Sequence, residues 1–543
     1  MKILFVIPAR GGSKGIPKKN VRLMNGKPLI YYAIDNALQF DGCESDIVVD
    51  TDDDEIARIA AKKDVVICKR PAELATDDIP LDPVICHAYD IMTKERGVSY
   101  DYVVTLQATS PTLRLDTLKN AINEAIAKDV DTMISVVNRP HLSWRIEDEK
   151  MVPNYKERKN RQYLPAEFCE TGGFLISKGY LLKEQKRIGE KVDAFLLSED
   201  EAIDIDDIKD WVVAESLLKK KKVILRADGY ASIGMGHIYR CITLAYKLFE
   251  HDVTIVTNSK YLDGINKLKQ SNIPYRLIDN QEDFIEFVKN QHVDIVVNDI
   301  LDTTKQYVQD LKQYCKRVVN FEDMGEGAYI ADAVINAIYD NEVPRKNLYN
   351  GAKYFAIRDE FLQAKKSEYH KEVKNLLATF GGSDPSNISA RMFKIFEILS
   401  GLFPNINFHI ITGIGYLYKD ELKSDENKRI YVHNDIQLIS EYMENADLAI
   451  TSQGRTIYEL AYMGIPSIVL AQNMRETTHV FANLKNGFIN MGISTESDNE
   501  TIINTIAWLI NTPNVRKEMH NTLLNKDLAS GQNRVLKIIL GEK

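Results

Sequence analysis

The chain opens on a strand that can only lie inside a sheet. Residues 3–9 (Ile-Leu-Phe-Val-Ile-Pro-Ala) are apolar throughout and pass straight into Arg10-Gly11-Gly12-Ser13-Lys14-Gly15. A short apolar run closed by glycines reads as a strand buried on both faces. The loop behind it is suited to phosphate. Its glycines let backbone N–H groups turn toward an anion, and its arginine and lysine neutralise that anion. The loop fits neither G-x-x-x-x-G-K-[ST] nor G-x-G-x-x-G, so it is a phosphate loop of another kind.

The rest of the chain repeats the theme. β-like runs at 46–50, 102–106, 132–137, 223–226, 253–257, 294–298, 376–380, 408–412 and 467–470 alternate with amphipathic helical stretches. Such alternation predicts parallel sheets covered by helices on both faces. With 543 residues, roughly three units are expected. The lysine run 219–222 ends a helix over 211–218, and the strand, glycine-loop, helix pattern then restarts. A softer boundary falls in a polar helical stretch over 364–374. The units expected are 1–219, 223–365 and 366–543.

Composition excludes several classes. A net charge of −9 argues against bulk nucleic-acid binding. No apolar run approaches the ~18 residues that span a bilayer, and no signal peptide is read at the start. The six cysteines are scattered without a C-x-x-C pair. A reduced cytoplasmic protein without structural zinc is expected.

Three polar segments follow strands in the first part. They are Thr51-Asp52-Asp53-Asp54, Leu106-Gln107-Ala108-Thr109-Ser110-Pro111 and Ala202-Ile203-Asp204-Ile205-Asp206-Asp207. Open α/β sheets bind ligands at the carboxyl ends of their strands. In an extended path Asp204 and Asp206 share a face, with Cα atoms about 6.6–7 Å apart. Two such carboxylates can hold Mg²⁺ together with phosphate oxygens. Taken alone, the pair reads better as an acidic cap on the helix from Asp207. Beside a phosphate loop, metal binding is the better reading.

These motifs, with Ile16-Pro17-x-Lys19-Asn20, Gly26-Lys27-Pro28-Leu29, Lys69-Arg70-Pro71, Arg114 and Glu170-Thr171-Gly172-Gly173, resemble those of the acylneuraminate cytidylyltransferases (CMP–sialic acid synthetases). The resemblance covers essentially all of 1–218. It implies a nucleotide-diphospho-sugar-transferase-like Rossmann-type domain. It also implies transfer of CMP from CTP to an acidic 2-keto-3-deoxy sugar. By that resemblance Pro8, Ala9, Arg10, Gly11, Gly12, Ser13, Lys14, Asn20, Arg70 and Asp53 bind CTP, with Arg10 and Lys14 catalytic. Gln107, Arg161 and Glu170 meet the nonulosonic acid, and Asp204 and Asp206 hold Mg²⁺. Lys18, Lys19 and Lys27 are expected to face solvent. The family implies a homodimer through this domain.

The second part carries Arg226-x-Asp228 and Ile233-Gly234-Met235-Gly236-His237-x-x-Arg240. It continues with Phe380-Gly381-Gly382-Ser383-Asp384-Pro385, then Gly454-x-Thr456-x-x-Glu459 and Gly464-x-Pro466. A helix N-terminus behind a glycine loop favours a diphosphate. A lone histidine is more often structural, but its flanking glycines put His237 beside a ligand. A glutamate one turn into a helix can accept from ribose hydroxyls, or simply suit the helix dipole. The set resembles the UDP-sugar hydrolases of pseudaminic acid synthesis and, more distantly, the two-lobed GT-B glycosyltransferases. The resemblance implies a GT-B-like pair of Rossmann-type subdomains. His237 would be the general base, and Gly236, Arg240, Gly381, Gly382, Ser383, Gly454, Thr456 and Glu459 would hold a UDP-sugar. Two departures stand out: no catalytic tyrosine is evident near Asp299, and Ala471-Gln472-Asn473-Met474 only partly matches the expected Ala-Glu-Asn-Gln. A glycosyltransferase and a silent nucleotide-sugar-binding module are the alternatives.

Overall fold

The computed structural model describes residues 1–12, 15–76, 78–230, 234–339, 345–413, 415–434, 436 and 438–542. The chain forms two compact units, Met1–Lys220 and Lys221–Lys543. Ser13 and Lys14 lie outside the described residues.

The first unit is built on a seven-stranded sheet. Its strands are β1 (Lys2–Pro8), β2 (Glu44–Thr51), β3 (Val66–Lys69), β4 (Tyr102–Thr105), β5 (Thr132–Asn138), β6 (Phe168–Lys178) and β7 (Val192–Leu196). The order is β7-β5-β6-β4-β1-β2-β3. The expectation of a wholly parallel sheet needs one correction: β6 runs antiparallel to both β4 and β5. β1 shows why its sequence is apolar on both sides. Ile3, Phe5 and Ile7 pack with Ile30, Ile34, Leu118 and Ile122 on one face. Leu4 and Val6 pack with Ile85, Tyr89 and Met92 on the other. Both faces of the strand lie beneath helices, as period-two side chains require. Helix α1 (Asp54–Ala60) follows β2, and α2 (Ile208–Lys219) closes the unit behind a capping box of Asp207 and Asp210.

The second unit holds two all-parallel sheets. The first is β10-β9-β8-β11-β12-β13-β14, from β8 (Lys222–Ala227), β9 (Asp252–Asn258), β10 (Tyr275–Ile278), β11 (Val293–Asp299), β12 (Cys315–Phe321), β13 (Ala333–Asn336) and β14 (Leu348–Asn350). The second is β17-β16-β15-β18-β19-β20, from β15 (Asn375–Thr379), β16 (Asn407–Thr412), β17 (Ile430–Asn434), β18 (Leu448–Thr451), β19 (Ser467–Ala471) and β20 (Phe488–Ile493). Each sheet reverses its strand order beside its first strand, which opens a crevice at the carboxyl ends. These are the two Rossmann-type lobes of a GT-B-like unit.

Two further expectations are corrected. The stretch 364–374 is not a helix; helix Asp359–Gln363 stops before it. The last helix, Gly531–Leu540, does not stay with the second lobe: its Val535, Ile538 and Ile539 join the first lobe's core beside Val223 and Leu225. Its Ile538 and Leu540 carbonyls accept from Arg317 at 3.0 Å and from Lys221 at 2.7 Å. The chain thus crosses back, and the span 366–543 is not one lobe. Among the described residues no helix is long and apolar enough to cross a membrane.

Candidate active sites

In the first unit, the carboxyl ends of β1, β2 and β4 meet where the strand order reverses. A cavity of about 270 Å³ lies there, lined by Pro8, Arg10, Asn20, Arg70, Gln107 and Asp206 among others. The loop geometry comes from close approach. A Cβ on Gly11 would stand 2.6 Å from Asp53 Oδ2, so only glycine lets the loop pass over that carboxylate. The Gly11 N–H donates to Asp52 Oδ1 at 3.1 Å, and Asn20 Nδ2 donates to the Arg10 carbonyl at 3.0 Å. Asp53 itself caps α1, accepting from the Glu55 and Ile56 N–H groups at 2.8 and 2.9 Å. It shapes the loop and does not line the cavity, contrary to its expected contact with the nucleotide.

Arg70 is buried and aimed by Asp50. Its Nε donates to Asp50 Oδ1, and its Nη2 donates to the Asp50 carbonyl at 3.1 Å. His87 Nδ1 lies 3.3 Å from Asp50 Oδ2, and Cys68 Sγ lies 3.8 Å from the same His87 nitrogen. Burial, with Asp50 adding to it, pushes the Cys68 thiol up to about 12. Asp50, Cys68 and His87 could hold a metal by their spacing. Asp50 is already committed to Arg70, so the cluster reads as the support beneath a phosphate-facing guanidinium. The sequence signal for it was a lone aspartate at the end of an apolar strand, since a buried charge demands a partner.

Lys19 corrects another expectation. Its side chain is 12% exposed, its ammonium donates to the Ile205 carbonyl at 2.5 Å, and it stands 4.0 Å from Asp206 Oδ1. Burial lowers its pKa, opposed by Asp206 and Asp204. The acidic pair is set beside the β4 loop by the Ile205 N–H, which donates to the Thr109 carbonyl at 2.9 Å. Asp206 is 86% exposed and faces the cavity. Asp204 is largely buried, and burial raises its pKa. Thr109 hydrogen-bonds its carboxyl, and Ser110 Oγ is buried without a hydrogen-bond partner among the described residues. A partly buried carboxylate with an exposed one two residues on fits a hard cation. Of the expected sugar contacts, only Gln107 lines the cavity. Arg161 is exposed and paired with Glu199 at 3.0 Å; Glu170 is exposed on β6.

In the second unit, His237 lies in the first turn of helix α3 (Gly236–Lys247). Its neighbour across the sheet is fixed by register, because β8 and β11 pair Ala227 with Asp299. His237 Nδ1 meets Asp299 Oδ1 at 2.5 Å, and Arg240 Nε donates to Asp299 Oδ2 at 2.6 Å. Arg240 also donates to both oxygens of Glu322, 2.9 Å to Oε2, and Arg455 Nη1 reaches Glu322 Oε1 at 3.2 Å. Burial opposes charge on Asp299, but Arg240 and His237 more than offset it and hold the carboxyl below the usual range. With Nδ1 committed to Asp299, Nε2 is the ring nitrogen left for a ligand.

Two adjoining cavities, about 380 and 320 Å³, share Gly236, Gly381, Gly382, Arg455 and Thr456. Gly381 sits at φ +80°, a conformation that favours glycine. His237, Ser383 and Gly454 line the larger cavity, and Arg240 and Glu459 the smaller. Arg240 lines the smaller cavity while its guanidinium donates to Asp299 and Glu322. Glu459 Oε1 accepts from Arg358 Nε at 2.8 Å. Arg226 and Asp228 pair at 2.7 Å and pin the loop after β8. Two tyrosines, Tyr230 and Tyr339, line the His237 cavity. Sequence reasoning singled out Asp299 but missed Glu322, Arg455 and Glu476, because separate segments bring them to the same cavity.

Removing one member of this ion chain leaves buried charge uncompensated. Arg240→Gln is expected to destabilise the second unit by about 3–5 kcal/mol. Urea unfolding followed separately for each unit checks this, with the first unit's transition unmoved.

Residues 4–165 match the family profile described as cytidylyltransferase. The pseudaminic acid cytidylyltransferase of Campylobacter jejuni is 33% identical over 228 residues, 40% of this chain and 97% of that protein. The spore coat polysaccharide biosynthesis protein SpsG of Bacillus subtilis is 26% identical over 317 residues, 54% of this chain and 90% of that protein. An uncharacterized protein of Methanocaldococcus jannaschii is 30% identical over 273 residues, 46% of this chain and 56% of its own length. The chain spans only about half the length of the first relatives it matches, 56% and 50%. With a near-complete relative at 33% identity and a phosphate-loop cavity in place, the chain belongs, through its first unit, to the cytidylyltransferase family.

Proposed function

We propose that the first unit transfers CMP from CTP to an acidic 2-keto-3-deoxy sugar of the nonulosonic class. The observation that carries this is the single cavity that gathers Arg10, Arg70, Gln107 and Asp206 at the strand ends. The sugar's anomeric hydroxyl oxygen attacks the α-phosphorus and gives its proton to solvent, the bond from that phosphorus to the bridging oxygen of the β-phosphate breaks, and pyrophosphate leaves with the electron pair. Charge builds on oxygens throughout, so catalysis is mostly positioning and electrostatics. Arg10 and Arg70 take that charge, and Asp50 keeps Arg70 aimed. Gln107 orients the sugar. Asp204 and Asp206 would hold Mg²⁺, which would neutralise phosphate charge. CTP and the reduced cysteines suit the cytoplasm, and the family resemblance suits a homodimer through this unit.

The second unit, in this reading, hydrolyses a UDP-linked diacetamido sugar. The diphosphate lies on the shared Gly236, Gly381 and Gly382, with the nucleoside toward Glu459 and the sugar toward His237. His237 Nε2 takes a proton from water, the water oxygen attacks the anomeric carbon, and the carbon–oxygen bond to UDP breaks. Asp299 holds the ring's tautomer and steadies the imidazolium that forms, as an orienting carboxylate does in a catalytic triad.

The test is product release from the full chain. Pyrophosphate is expected from CTP only when a nonulosonic acid is supplied, and UDP from the UDP-diacetamido sugar in water alone. Silence with every acid tried would sink the first assignment. UDP release only with an added sugar acceptor would make the second unit a glycosyltransferase.

A further inference from the structure

Glu476 takes no part in the hydrolysis just described, yet it lines the same cavity as His237. It lies in the short helix Met474–Thr477, whose N-cap is Asn473. One side of its carboxyl is anchored: the Gln472 N–H donates to Oε2 at 2.8 Å. The Gln453 backbone N–H also donates to the carboxyl. Oε1 lies on the side of Gly454, 3.7 Å from where a Cβ there would stand, and Gly454 is part of the cavity wall. Gln472 lines the same wall. Its Nε2 is committed to the Phe380 carbonyl at 2.9 Å, and its Oε1 is buried with no hydrogen-bond partner among the described residues.

The wall therefore offers an unsatisfied amide oxygen next to a carboxyl. A buried acceptor left without a donor is costly, and a ligand N–H would satisfy it. A carboxylate can only accept, whereas a protonated carboxyl donates one O–H. Burial pushes Glu476 up to about 7; the Gln472 and Gln453 N–H groups oppose this and the charge of Asp384 adds to it. The other charged or titratable groups that line the cavity are His237, Glu322, Tyr230, Tyr339, Arg455, Arg475 and His479. An acetamido group carries the matching pair, an N–H that needs an acceptor and a carbonyl that needs a donor.

We propose that Gln472 and Glu476 select the 2-acetamido group of a nucleotide-linked sugar, Gln472 Oε1 accepting its N–H and the Glu476 hydroxyl donating to its carbonyl. C2 is the position because it adjoins the anomeric carbon on which His237 acts. The proposal rests on the nucleotide-sugar reading of the second unit and names the sugar substituent that unit requires.

Calorimetric titration of the full chain with UDP, UDP-glucose and UDP-N-acetylglucosamine tests it. The two sugar nucleotides carry the same phosphates, so their affinity ratio isolates the acetamido contact. At pH ~6.5 the acetamido sugar is expected to bind about tenfold or more tighter than the glucose compound, as sites that hydrogen-bond a substituent reject ligands lacking it. At pH ~9 a carboxyl titrating near 7 is only ~1% protonated, and the ratio collapses toward one. Glu476→Gln keeps a donor without a proton to lose, so its ratio stays high at both pH values. Gln472→Leu and Glu476→Leu lose the ratio and keep UDP affinity. A ratio indifferent to pH and to every variant, with UDP still bound, overturns the acetamido assignment alone. No binding of UDP overturns the nucleotide-sugar reading and this proposal with it.

Discussion

Asp206→Ala is expected to leave the fold intact and to cut CMP transfer by about 10²–10³-fold, the usual cost of removing one electrostatic group at a reacting phosphate or acyl centre. The side chain is 86% exposed and makes only a distant contact to Lys19, so little stability is at stake. Its place in the cavity wall is what makes it costly. Arg10 and Arg70 line the same cavity and would supply cations for the phosphates. Asp204, two residues back, is only partly exposed. UDP release by the second unit should be unchanged, since that chemistry uses another cavity in another unit. Pyrophosphate and UDP assays on one preparation give both readings. A variant that keeps full CMP transfer would remove the acidic pair from the mechanism.

His237→Gln is expected to do the reverse. UDP-sugar hydrolysis should fall by about 10²–10⁴-fold, the range for losing a positioned general base, while CMP transfer stays at the wild-type rate. UDP affinity should persist, because in the proposed placement the diphosphate would rest on the glycine loops and the nucleoside on the Glu459 side. Arg240 still pairs with Asp299 and Glu322 in this variant, so the ion chain survives and the loss is one of chemistry. Unchanged UDP release would favour a silent or differently catalysed second unit.

Much of this was legible in the sequence where local rules apply. The apolar run at 3–9, the glycine loops at 10–15 and 381–382, and the restart after the lysine run all carry their structure in consecutive residues. Gln107 lies just past a strand end and His237 in the first turn of the helix after β8, where parallel sheets open their crevices. What failed was whatever depends on pairing at a distance. Asp53 reads like a nucleotide contact, but its position before α1 makes it a cap. Arg240 reads like a ligand contact, and its sequence does not show that Asp299 and Glu322, from two other segments, pair with it. Lys19 looks like one of several surface lysines until the 204–206 segment packs beside it, with the Ile205 carbonyl accepting from its ammonium. The returning helix Gly531–Leu540 could not be seen, since an amphipathic helix does not say which lobe's core its apolar face will join.

The central claim is that a triphosphate lies between Arg10 and Arg70 on one side and the Asp204–Asp206 pair on the other. A crystal structure of the full chain grown with CTP and Mg²⁺ measures this directly. The account predicts nucleotide density in the first unit's cavity, with phosphate oxygens on Arg10 and Arg70 and the ion on the two aspartates. Nucleotide bound anywhere else, with that cavity unfilled, would contradict it.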